Sequence, residues 1–149
     1  MSIQFKCKRF QELALQELYD IMVLRQEVFV VEQNCPYLDA DGNDQASHHL
    51  MGHLDGQLVA YVRILPKGIS YETYPAIGRV ITSQKIRGQG QGLVLMNKAI
   101  ELTENLYPNE VIKLSAQSHL THFYASVGFV STGEEYLEDG IPHTAMIRA

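Results

Sequence analysis

Residues 86–92 read IRGQGQG, which puts Gly88, Gly90 and Gly92 at alternate positions just ahead of a helix-like run. Fixing a glycine costs conformational entropy, so this spacing marks a backbone that something must approach closely. Glycine-rich strand-to-helix turns cradle phosphates, because bare backbone N–H groups converge there at the positive end of a helix. Two versions of that turn do not fit. The Walker pattern needs a lysine followed by Ser or Thr behind its last glycine, and the chain has none there. The dinucleotide fingerprint needs a third glycine where Leu93 stands, and a second βαβ unit with an acidic end. A third pattern, Gln/Arg-x-x-Gly-x-Gly/Ala, is met by Arg87, Gly90 and Gly92, with Gly88 in addition.

The other residues with chemistry are scattered. His49 and His119, with a reference pKa of about 6.5, are suited to taking a proton at neutral pH. The loop DADGND imitates a calcium loop, but Gly42 falls too early and Leu50 stands where a bidentate glutamate belongs. His48 and His49 are adjacent and would face opposite ways on a strand, and His119 and His122 have no third ligand. No metal is expected. Asp39, Asp41 and Asp44, with Glu32, form an acidic set that would draw a protonated amine. Arg25, Arg79 and His143 would equally hold a carboxylate, and the two readings predict different substrates.

These residues need a scaffold. Alternation over IQFKCKRF (3–10) predicts a first strand, and the apolar positions from Leu15 to Phe29 fit a helical stripe within Glu12 to Gln33. That helix is expected to break near Arg25, because VFVVEQ looks less helical and more buried. Residues 35–49 read as a loop, HLMGHLDGQLVAYVRIL as a hairpin about Asp55-Gly56, and AIGRVIT (76–82) as another strand. Beyond the glycines an amphipathic helix runs to about Asn105, then a strand over 111–117 and a short helix over 119–127. A closing hairpin turns at EDGIP. Helices alternate with strands only in the second half, so the sheet is mixed and not doubly wound.

The chain of 149 residues is most simply one domain, 1–149. Its 46% apolar content argues against disorder, and no apolar run is long enough for a membrane helix or a signal segment. Cys7 and Cys35 are too few for a disulfide framework, so a reducing cytoplasm is expected. A net charge of −5 disfavours nucleic acid as a partner and is compatible with a cationic substrate.

In this context, between a strand and an amphipathic helix, the glycine stretch resembles the acyl-CoA loop of the GNAT N-acetyltransferase superfamily. A second motif lies about thirty residues on. LSAQSHLTHFYASVGF matches the family's strand, Asn-like residue and LYxxxGF helix through Gln117, Phe123, Tyr124, Gly128 and Phe129, with Gln117 where Asn is usual. LRQEVFVVEQNCPYLDADGND and EDGIPHTAM are similar to the ElaA-like branch. The resemblance implies the GNAT fold, an α/β (α+β) architecture with a central, twisted, mostly antiparallel sheet of about seven strands flanked by helices. It implies acetyl-CoA as donor and an N-acetyltransferase acting by direct attack on a primary amine, or a non-catalytic acyl-CoA sensor or scaffold of the same fold.

Residue by residue, it implies that the backbone of Val80, Ile81 and Thr82 pairs with the pantetheine arm and supplies the oxyanion donors. Arg87, Gly88, Gln89, Gly90, Gln91 and Gly92 would hold the pyrophosphate, with Gln117 and Tyr124 completing the coenzyme site and Tyr124 as general acid. The glutamate base that some members carry before the loop is replaced here by Arg79, which leaves Glu32 and His119 as candidate bases. The acceptor side is assigned Arg25, Glu32, Gln33, His49, Arg79 and His143. The expected partner is a small-molecule or protein amine, with neither nucleic acid nor membrane. Homodimerisation, frequent in the family, is expected on that ground alone.

Overall fold

Two Asp-Gly pairs set the hairpins. Asp55 and Gly56 have φ of 50° and 77°, and Asp139 and Gly140 have φ of 51° and 77°. Two consecutive left-handed residues make the tight turn whose twist matches that of paired strands. In the computed structural model, which describes residues 2–149, the first pair joins β2 (His48–Leu54) to β3 (Gln57–Leu65). The second joins β6 (Val130–Glu138) to β7 (Ile141–Arg148). With β1 (Gln4–Arg9), β4 (Ala76–Thr82) and β5 (Ile112–Gln117) they form one seven-stranded sheet in the order β1-β2-β3-β4-β5-β7-β6. Every neighbouring pair is antiparallel except β4 with β5. This is the mixed, mostly antiparallel sheet expected from the order of the elements.

Alternate residues of the central strands feed two cores, because a strand points successive side chains to opposite faces. Leu50, Val62 and Ile64 join one core, and Met51, Tyr61 and Ile81 the other. Helix α1 (Leu15–Arg25) covers the second through Ile21 and Leu24. Helix α2 (Gln91–Leu106) covers the first with Leu95, Met96, Ala99 and Ile100 at helical spacing. Full burial of a side chain such as Leu95 or Met96 contributes about 1.5–3 kcal/mol, so the start of α2 is firmly seated. The short helix α3 (Thr121–Ala125) closes that layer and turns at Gly128 (φ 97°), where an added Cβ would meet the Arg148 side chain at 2.9 Å.

One expected element differs. The first helix does not break at Arg25; it widens into a π-helix over Gln26–Glu32. Nor is the segment more buried, since Val28 faces the core while Val31 is 74% exposed. A π turn inserts one residue per turn and so rotates the following side chains. Glu32 and Gln33 thereby arrive at the mouth of the cleft described next. The boundaries elsewhere follow the sequence reading, except that α3 is five residues long, preceded by a 3-10 turn at Ser118–Leu120. Among the described residues no helix is long and apolar enough to cross a membrane.

Candidate active site

The parallel pair β4 and β5 makes a single ladder contact, Ala76 opposite Lys113, supported by the Lys113 amide donating to the Pro75 carbonyl at 3.0 Å. Beyond it the strands part. Next to the split, β4 carries an extra residue: Tyr61 pairs with Ile81 and Arg63 with Gly78, so Val62 faces both Arg79 and Val80. Arg79 takes up the bulge with φ of 51°, uncommon for a non-glycine residue. The gap opens into a cleft of about 380 Å³ lined from β4 by Ile77 to Thr82, from β5 by Leu114, Ser115 and Gln117, and from α3 by Tyr124.

At one end of this cleft stand Arg87 and the glycine loop. Gly88 and Gly90 have φ of 79° and 74° and nothing within 4 Å of an added Cβ, so their backbone is both left-handed and open. Gly92 lies in the first turn of α2, where an added Cβ would meet the Phe123 ring at 3.6 Å. Gly90 is the N-cap of α2 and offers no side chain, so none caps the first amides of this helix. Uncapped N–H groups at the positive end of a 16-residue helix suit an anion. The Val80–Thr82 stretch has no ladder partner on the β5 side.

Tyr124 lines the cleft and is 8% exposed, with edge-on contacts to Phe123 and Phe129. Burial pushes its phenol up to about 12, so it carries its proton at any ordinary pH. Gln117 Nε2 donates to Gln33 Oε1 at 3.4 Å across the cleft mouth, and both line it. His119 is exposed at the same mouth. Glu32 lines the cleft with its carboxylate engaged: Arg87 Nη1 donates to it at 2.5 Å and Gln84 Nε2 at 3.0 Å. Arg87 Nε donates to the Thr82 carbonyl at 3.0 Å.

The acidic loop is not free to attract a substrate. Arg25, 0% exposed, donates through Nε to Asp39 and through Nη1 to Asp44, both at 2.6 Å. Arg63 grips Asp41 with two bonds of 2.8 Å and reaches Asp44 at 3.1 Å. Arg79 donates to Asp39 at 2.8 Å. Three guanidiniums therefore meet three carboxylates in one cage that staples the 39–44 loop to β3 and β4. Burial works against the charge on Asp44, yet the Arg25 and Arg63 bonds outweigh it and hold its carboxyl below the usual range. The assignment of Arg25, Asp39 and Asp44 as substrate groups is corrected. Arg25 is sealed inside the protein, and Asp39 and Asp44 are spent on arginines.

His49 is likewise buried and away from the cleft. Its Nε2 donates to the Asp44 carbonyl at 2.9 Å while the Tyr61 hydroxyl donates to Nδ1 at 2.6 Å, and burial lowers its pKa. It stays neutral as a strut of the cage. His143 is buried against Tyr136 in a stacked pair, its Nδ1 donating to the Ile141 carbonyl at 2.7 Å. It supports a wall of the site without lining it.

With this geometry in place the comparison with known families is decisive: a model described as an Acetyltransferase (GNAT) domain matches residues 16–149. The chain belongs to the GNAT family. It is similar over 148 residues to the protein ElaA of Escherichia coli, with 44% identity covering 98% of this chain and 96% of ElaA. A UPF0039 protein of Synechocystis is 45% identical over 99% of this chain and 96% of its own length. Among solved structures, an acyl-CoA N-acyltransferase from Pseudomonas aeruginosa superimposes with a TM-score of 0.94 at 48% identity, covering 99% of this chain and all of that one.

The GNAT architecture places residues at the cleft that the sequence reading did not single out. Tyr37, Ile77, Gly78 and Ser115 join Arg79 in lining both this cleft and a second cavity of about 760 Å³ on the far side of the gap. The two cavities thus meet where β4 and β5 separate. Gly78 carried a readable signal, since glycine inside a strand marks close approach. Tyr37 carried none: it is placed by its bond to Asp39, 3.0 Å from the phenol oxygen, and so by the cage.

Proposed function

We propose that this GNAT domain is an acetyl-CoA-dependent N-acetyltransferase in which a primary amine attacks the donor directly, both being bound at once. The observation that carries this reading is the junction of two cavities at one gap: a donor on one side and an acceptor on the other meet without either crossing the protein. An acyl-CoA is the family's typical donor, and the residues present fit one. Gly88 and Gly90 leave the backbone open where no Cβ stands, the first amides of α2 have no side-chain cap and suit an anion, and Arg87 adds charge. The unpaired edge of β4 suits an extended amide-bearing arm, in the manner of strand addition.

When bound, acetyl-CoA supplies a thioester whose acyl carbon is already activated toward an amine. The protein's part is positioning and charge. Backbone groups of Val80 to Thr82 orient the arm and offer N–H donors beside the carbonyl. Tyr124, on the cleft wall, holds the proton of its phenol. His119, unengaged at the mouth, is placed to take a proton from the incoming ammonium, whereas Glu32 begins bonded to Arg87.

Calorimetric titration tests the donor reading. Acetyl-CoA is expected to bind with a Kd on the order of micromolar, with NADH and ATP failing to compete. Gly90→Val forces a branched side chain into a left-handed backbone, a cost of about 1–2 kcal/mol before any contact with phosphate, and is expected to weaken binding by about tenfold or more. A folded wild-type protein that ignores acetyl-CoA would overturn the proposal.

Glu32→Gln probes the same end of the cleft. In the structure Glu32 occupies the guanidinium that a pyrophosphate would claim, so removing its charge is expected to tighten coenzyme A binding by about threefold. The size follows from a partly exposed ion pair, worth about 0–1 kcal/mol. Unchanged or weaker binding by the same titration would show that Glu32 does not compete for Arg87.

A further inference from the structure

The second cavity has a character distinct from the coenzyme cleft. It reaches the gap through Gly78 and Ser115, and three tyrosines, Tyr37, Tyr71 and Tyr136, form its apolar and hydroxylic walls. Its arginines, Arg63 and Arg79, are already paired with Asp41 and Asp39 inside the cage, where three positive charges meet three negative ones. What remains on the lining is Glu134, Glu138 and Asp139, all exposed and none paired with Lys or Arg. Glu138 has only the His143 Nε2 nearby, at 3.5 Å. The cavity therefore carries an uncompensated negative rim over aromatic walls.

The field of that rim is felt inside. Burial first, and then the neighbouring Glu138 and Glu134 carboxylates among other groups, raise the phenols of Tyr71 and Tyr136. Tyr71 also takes the Lys113 ammonium 4.7 Å over its ring centroid, which shows how these rings meet a cation, although Lys113 is not part of the cavity wall. Ser115 is held to the hydroxyl of Tyr136 at 2.5 Å, so the polar group beside the gap is tied to the same wall.

We infer that the second cavity is the acceptor site and that it selects small polycationic amines: one amino group reaches the gap past Gly78 and Ser115, and the remaining ammonium groups lie among the tyrosines under Glu134, Glu138 and Asp139. This rests on the acetyl-transfer reading above and names its substrate class. A free carboxylate on the acceptor is disfavoured, because the three rim carboxylates repel it and both guanidiniums already have carboxylate partners. Aliphatic polyamines and amino sugars with several amines share the required chemistry. The step itself balances simply. The ammonium first gives one proton to His119 or solvent. The neutral amine nitrogen then forms a bond to the acyl carbon, the carbon–sulfur bond breaks, the sulfur leaves as thiolate with its electron pair, and the second proton shed by nitrogen passes to solvent or to that thiolate.

The test is steady-state acetyl transfer with spermidine, kanamycin, butylamine and glutamate as acceptors, alongside calorimetric titration with acetyl-CoA. The expected result is a KM for spermidine or kanamycin at least about tenfold below that for butylamine, rising with added salt as exposed charges are screened. Whichever of the two polycations is preferred separates an aliphatic from a sugar framework. In the triple variant Glu134→Gln/Glu138→Gln/Asp139→Asn the polycation KM is expected to rise about tenfold, each exposed carboxylate contributing a few-fold. A control with Glu27→Gln, Asp55→Asn and Glu101→Gln, three exposed carboxylates away from both cavities, should leave it in place. Equal use of butylamine or glutamate, or a polycation KM that the triple variant does not move, overturns the inference while acetyl-CoA binding still supports the transfer reading. Failure to bind acetyl-CoA brings down both.

Discussion

Arg25→Met is expected to cost about 3–5 kcal/mol of folding stability, the largest effect of any single substitution proposed for this protein. Methionine replaces the packing volume of the stem, but it removes the only guanidinium bonded to Asp39 and Asp44 from the α1 side and leaves buried carboxylate oxygens short of partners. Breaking one side of a buried ion network is costly because the other charge stays behind uncompensated. Against a total stability of about 5–15 kcal/mol this is a large fraction. Urea unfolding followed by circular dichroism measures it, and a loss below about 1 kcal/mol would show that the cage is dispensable. The pH dependence gives a second readout with a definite sign. Asp44 is held below its ordinary range in the folded state, so the stability it confers is fully present above the unfolded value of about 3.9 and is lost as pH falls through the depressed one. The gap between wild type and variant should therefore be constant near neutrality and close only in acid.

Tyr124→Phe is expected to lower kcat by about 10²-fold while leaving the Kd for acetyl-CoA within about twofold, since the ring still fills its place between Phe123 and Phe129. The raised pKa refines the role that the sequence implied. A phenol near 12 would not surrender its proton to a thiolate whose conjugate acid titrates near 8.5; under the proposed transfer its part would be to donate a hydrogen bond toward the departing sulfur. Fall of kcat without loss of donor binding also separates an enzyme from an acyl-CoA sensor, in which no turnover exists to be lowered. If kcat is untouched, the departing group needs no help from Tyr124.

What could be read from the chain was whatever the chain decides locally. Both Asp-Gly turns, the limits of β4 and the glycine loop follow from backbone preferences within a few residues, and the structure places them accordingly. The cage was illegible for the opposite reason. Arg25 meets Asp39 across 14 residues, Arg63 meets Asp41 across 22 and Arg79 meets Asp39 across 40, so residue types alone left the acidic loop and the arginines looking like rival substrate-binding groups. Folding makes them partners and cancels both roles. The π turn after Arg25 is similar: VFVVEQ has no composition that distinguishes a widened helix from an ended one, and tertiary packing of Val28 on one side decides it. Ser115 sits in a strand with an ordinary pattern and acquires meaning only because β4 and β5 part beside it, whereas Gly78 was a local mark of that opening.

That parting has a mechanical consequence. A sheet is stiff across its width because every strand is laced to the next, but here one rung joins β1–β4 to β5–β7 along the central seam. The molecule is two rafts yoked at one end, with α2 as the crossover between them. Backbone bonding alone therefore does not set the width of the seam, which falls to the apolar core shared by both rafts, from Ile77 to Leu114 and Met146. The walls of the second cavity come from both rafts, Arg63 and Gly78 from one and Glu134 and Tyr136 from the other. The first cleft is walled by both rafts as well, Val80 from one and Leu114 from the other, so the seam is a boundary that the two cavities hold in common.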